Sequence, residues 1–116
     1  MSIISGVGSS GSVGPTNGGK TTAVNNVSTV NAQVIGPNVN RVRITFHNPG
    51  LVDIIVAMVT AANGTPLAPT FAARGGGYLV FANGGEKSFV GECQLAFNAV
   101  AASGTTNPLT ITETNI

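Results

Sequence analysis

The chain reads as an all-β protein: a small antiparallel β-sandwich or jelly-roll-like domain of about seven strands over residues 27–116, behind an extended Gly/Ser-rich N-terminal arm over residues 1–26. Three observations predict this. From Val27 onward, apolar side chains recur at every second position, the period of a strand with one buried face. Clusters of Gly, Pro, Asn and Ser interrupt that alternation at short intervals, as turns do. The intervening segments are rich in Val, Ile and Thr, which suit a pleated, half-buried surface.

Taken in order, the arm comes first. Ser5 to Gly19 holds Gly6, Gly8, Gly11, Gly14, Gly18 and Gly19 and almost nothing to bury. Such a segment has no apolar contacts to offset its backbone entropy. It therefore orders only against a surface, whether its own domain, a neighbouring copy or a larger lattice. Val30, Ala32 and Val34 give a first, weak strand. Arg41 to His47 is the clearest: Val42, Ile44 and Phe46 point one way, and Arg41, Arg43, Thr45 and His47 the other. Asn48-Pro49-Gly50 supplies turn chemistry, and the chain returns as Val52 to Val59. Pairing Phe46 with Ile54, Ile44 with Val56 and Val42 with Met58 matches large side chains along this expected hairpin. The same register sets His47 opposite Asp53 as a structural cross-strand pair.

A loop with three breakers follows from Asn63 to Pro69, and Arg74-Gly75-Gly76-Gly77 breaks the chain again. Tyr78 to Ala82 and Glu86 to Val90 flank Asn83-Gly84-Gly85, a strong hairpin signal. Glu92 to Ala102 places Cys93, Leu95, Phe97 and Ala99 on one strand face. Cys93, Phe97 and Val100 also fit helical spacing, and the strand is preferred. Leu109 to Asn115 closes the domain with Leu109 and Ile111 inward. The pattern does not give the strand order.

Charged residues make up 8% of the chain, against about 25% in an ordinary soluble domain. The net charge of +1 is too small to drive nucleic-acid binding through phosphate neutralisation. Near-neutral surfaces associate, so the deficit points to a surface covered in an assembly. Cys93 is the single cysteine and no internal disulfide is expected. Met1-Ser2-Ile3-Ile4-Ser5 lacks the basic and apolar regions of a signal peptide. The apolar run Ile54 to Val59 is too short to cross a bilayer as a helix, and no membrane partner is expected.

Gly14-Pro15-Thr16-Asn17-Gly18-Gly19-Lys20-Thr21 matches the phosphate-binding pattern GxxxxGK[ST] literally. That chemistry needs a buried strand before the loop and a helix after it. The flanking residues predict neither. His47 with Asp53 lacks the third member and oxyanion site of a nucleophile relay, and one His with one Cys falls short of a zinc set. Cys93 reads as a small core hydrophobe. No enzymatic activity, cofactor or metal is expected. Arg41 and Arg43, on one strand face, form a candidate contact stripe for an acidic partner through bidentate carboxylate pairing. Lys20, Gly14, Gly18 and Gly19 in the arm are further candidate partner contacts.

Arg41 to Asn48, the Asn48-Pro49-Gly50 turn and Asp53-Ile54-Ile55-Val56 resemble segments of small β-rich structural proteins encoded by tailed phages. Gly91-Glu92-Cys93-Gln94 through Ala101-Ala102-Ser103-Gly104, ending Asn107-Pro108-Leu109-Thr110, is similar as well. The likeness is to the capsid decoration, or cement, proteins of short-tailed phages and covers Arg41 to Ile116. It implies a sandwich seated on the outside of an icosahedral shell, made in the host cytoplasm. Its implied partners are the major capsid protein and copies of itself, as a dimer or trimer. It carries over no catalytic residues. The competing reading is a tail appendage or carbohydrate-binding host-recognition module, for which Tyr78 is the available surface aromatic.

Overall fold

A computed structural model describes residues 19–58 and 77–116. They form eight strands in two packed four-stranded antiparallel sheets: β1 (Gly19–Val27), β2 (Ala32–Ile35), β3 (Arg41–Asn48), β4 (Ile54–Met58), β5 (Tyr78–Val80), β6 (Gly85–Val90), β7 (Phe97–Ala101) and β8 (Asn107–Asn115). One sheet runs β1-β8-β3-β6 and the other β2-β7-β4-β5. Strand β1 thus pairs with β8, β2 with β7, β3 with β6 and β4 with β5. That nesting of couples is the order of a jelly roll.

The core lies between the sheets. Ile44, Phe46, Leu109 and Ile111 of the first sheet meet Ile54, Val56, Val80, Phe97, Ala99 and Ala101 of the second. Phe46 sits at the centre, its ring 5.0 Å from Phe97 and 6.0 Å from Phe89. The outward neighbours in β4 and β7, Ile55, Ala57, Asn98 and Val100, are at most 2% exposed. Burial on both faces explains why β4 reads as a continuous apolar run rather than an alternation.

Several expectations are corrected. Residues 19–26, assigned to the arm, lie in β1, whose backbone pairs with β8 from Gly19↔Thr114 to Val27↔Asn107. The strand escapes a pattern reading because its Thr, Asn and Gly residues show no large apolar face. Strands β3 and β4 do not form a hairpin: β3 lies between β8 and β6, and β4 between β7 and β5. Their apolar faces meet across the sandwich instead, which satisfies the same alternation. Asn83-Gly84-Gly85 does mark a turn, with positive φ at Asn83 and Gly84, but it carries the chain from one sheet to the other. Lys87 turns inward opposite Phe46 and closes that open edge, its ammonium 4.5 Å from the Tyr78 ring centre and 5.4 Å from that of Phe89. Both contacts are within cation–π range.

Candidate interaction surface

The most heavily bonded part of the described structure lies at one end of the sandwich, where β3 begins and β8 ends. Alternation would aim Arg41 outward alongside Arg43. A register shift between these two residues, in the pairing with β8, reverses Arg41. It is 1% exposed, while Arg43 stays in solvent. The expected Arg41–Arg43 stripe therefore does not exist.

The inward guanidinium is bonded on three sides. Its Nε donates to Glu113 Oε2 at 2.8 Å. Nη1 donates to the carbonyls of Cys93 and Leu95 at 2.9 and 3.0 Å, and Nη2 to that of Gly36 at 2.8 Å. One side chain thus ties β8 to the β2–β3 loop (residues 36–40) and the β6–β7 loop (residues 91–96). Asn38 reinforces the junction. Its Nδ2 donates to Glu113 Oε2 at 3.3 Å and Asn115 Oδ1 at 3.0 Å, and its N–H to Gln94 O at 2.8 Å. Gln94 Nε2 donates to the carbonyls of Arg41 and Gly91. Ile116 N–H donates to Asn40 O at 3.0 Å, so the C-terminus joins the same cluster.

A buried ion pair adds little net stability, because desolvation consumes most of the Coulomb gain. What it does here is hold loops in one geometry. Those loops and the C-terminus lift apolar side chains into solvent: Val39 is 86% exposed, Ile116 54% and Leu95 42%. Beside them is a cleft of about 210 Å³, walled by Lys20, Ile35, Pro37 and Asn38 and floored by Arg41 and Glu113. Cys93 plugs the core beneath this end. Burial pushes its thiol above the ordinary value of 9.0, the Arg41 cation partly offsets this, and Glu113 adds to it. The thiol is held neutral and packs as a hydrophobe.

Lys20 lies at this same end, opposite Glu113 in the β1–β8 register, and Gly19 precedes it with a Cβ position 3.1 Å from Glu113 O. Gly14 and Gly18 lie outside the described residues, as does the Asn63–Pro69 loop. The GxxxxGK[ST] match ends in β1, so Lys20 and Thr21 are strand residues rather than the start of a helix. His47 and Asp53 are not paired. His47 Nδ1 lies 3.3 Å from Glu86 Oε2, its cross-strand neighbour on β6, without hydrogen-bond alignment. Asp53 Oδ1 accepts the N–H of Ala82 at 2.8 Å. Among the described residues, no three of His, Cys, Asp and Glu gather as a metal set would.

Sequence reasoning missed Glu113 and Asn38. Glu113 had a signal: it continues the inward series Leu109, Ile111, Glu113, and an acid on a core face needs a cation. Asn38, in a Gly-Pro-Asn loop, had none. No protein family, curated protein or solved structure matches the chain.

Proposed function

We propose that this chain is a virion structural protein that binds the outer surface of an icosahedral capsid and stabilises it, without enzymatic activity. Its partners on this reading are the major capsid protein and neighbouring copies of itself. The observation that carries the reading is the Arg41 end: loops locked by a buried ion pair, presenting Val39, Leu95 and Ile116 rather than reactive groups. Pre-ordered loops lose little entropy on docking. Weak contacts of this kind gain strength when many copies bind side by side.

The test is cosedimentation with capsids lacking this protein. The wild-type chain should pellet with the shells and raise their resistance to heat, and Val39→Asp should weaken pelleting at least about tenfold, or roughly 1.4 kcal/mol. Failure of the wild-type chain to pellet would end the proposal.

One observation favours a second reading, a glycan-binding host-recognition module: Phe81 is 63% exposed and Tyr78 49%. Against it, Lys87 lies over the Tyr78 ring, so that face is not free to stack on a sugar. A specific hit on a glycan array, lost in Phe81→Ala, would favour this reading over capsid binding.

A further inference from the structure

The floor of the cleft beside Arg41 consists of polar groups whose bonding is incomplete. A guanidinium carries five N–H donors. Four of those on Arg41 are taken: Nε by Glu113, both on Nη1 by the carbonyls of Cys93 and Leu95, and one on Nη2 by that of Gly36. The second N–H of Nη2 has no acceptor among the described residues. The Glu113 carboxylate is equally one-sided. Arg41 Nε and Asn38 Nδ2 both donate to Oε2, and no described residue donates to Oε1, which is not sealed from solvent. Arg41 is 1% exposed and Glu113 4%, and both line the cleft.

Lys20 completes the set. It is exposed on β1 opposite Glu113 in the register, and among the described residues it forms no ion pair. A free ammonium, a guanidinium N–H and a carboxylate oxygen therefore share one cleft, with Ile35 and Pro37 as its apolar wall.

We propose that this cleft binds a neutral polyhydroxylated ligand, a single sugar ring presenting adjacent hydroxyls. Charge decides between ligand classes. An anion drawn by Lys20 and Arg41 would meet Glu113, and a cation drawn by Glu113 would meet Lys20 and Arg41, so a like charge opposes either. A hydroxyl both donates and accepts. One hydroxyl can donate to Glu113 Oε1 while its neighbour accepts from Arg41 Nη2 or Lys20, and a charged protein partner strengthens each bond. The carbon face of the ring then rests on Ile35 and Pro37. At about 210 Å³ the cleft falls below the roughly 300–1,000 Å³ of sites for drug-sized molecules, which suits one ring rather than a chain. No described aromatic side chain lines it, so the affinity is weak. The site is separate from Tyr78 and Phe81, and shell binding through Val39, Leu95 and Ile116 stands or falls without it.

Amide NMR shifts of the full chain, titrated with methyl glycosides of mannose, galactose and glucose from about 1 to about 200 mM, read the binding directly. At least one glycoside should shift Ile35, Gly36, Asn38 and Glu113 saturably, with a Kd of about 1–50 mM. Lys20→Met should weaken it at least about fivefold while melting as wild type, because Lys20 is exposed. Phe81→Ala should leave the affinity unchanged. Inorganic phosphate, opposed by Glu113, and cyclohexanol, with its lone hydroxyl, should give no saturable shift at these residues. Three inert glycosides, an affinity that Lys20→Met leaves intact, or saturable binding of phosphate in their place overturns the proposal.

Discussion

Arg41 is a charged side chain where the sandwich would accept a hydrophobe, and its worth depends on its partners being present. Removing one member of a buried pair strands the other, at about 3–5 kcal/mol, whereas replacing both by apolar groups is often neutral. Arg41→Met leaves the Glu113 carboxylate and the carbonyls of Gly36, Cys93 and Leu95 without their donor. Its unfolding free energy, read from denaturant titration, should fall by that amount, while Arg41→Met with Glu113→Leu should recover most of the loss. A double variant as unstable as the sum of the two singles would show that the residues act separately. The two ends of this contact differ in how far the sequence reveals them. Glu113 follows Leu109 and Ile111 at strand spacing and is placed inward by the alternation. Arg41 precedes Val42, Ile44 and Phe46 and is placed outward by the same rule. A single register shift, invisible in residue order, turns it in. Asn48 escaped for another reason: it reads as a turn residue and also serves as a buried hub.

At the scale of elements, alternation located seven of the eight strands but not their neighbours. It states which side chains face the core. It does not state whether the apolar partners lie beside a strand or across the sandwich. The expected β3–β4 hairpin failed on that ambiguity, and so did the hairpin at Asn83-Gly84-Gly85. Strand β1 was missed because its pairing with β8 is a backbone matter, carried by few apolar side chains. The β5–β6 turn has a sharper test. Gly85 N–H donates to Phe81 O at 3.1 Å, and a Cβ on Gly85 would stand 2.3 Å from Phe81 O and 2.8 Å from Phe81 N. Both atoms are backbone and cannot swing aside. Gly85→Ala should therefore destabilise by about 1–3 kcal/mol, the range for forced overpacking, lowering the melting temperature by several degrees. Melting as wild type would mean the chain does not close so tightly between Phe81 and Gly85.

For the molecule as a whole, the distribution of charge decides what kind of contact it makes. Five basic and four acidic residues leave a net +1. One of each sign, Arg41 and Glu113, is buried against the other. Asp53 is bonded to a backbone amide, and Glu86 lies beside His47. Among the described residues around the Arg41 end, Lys20, Arg43 and Glu92 are the charges facing solvent, too few to steer a partner at long range. Docking through Val39, Leu95 and Ile116 should then depend on apolar area, which added salt does not screen. Between about 0.1 M and 1 M salt the screening length falls from about 10 Å to about 3 Å. Shell affinity measured across that interval should change by less than about threefold on this account, since only screened charge pairs would respond. A drop of tenfold or more would instead assign the binding energy to Lys20 and Arg43. In that case Lys20→Ala with Arg43→Ala would abolish the salt response and Val39→Asp would not.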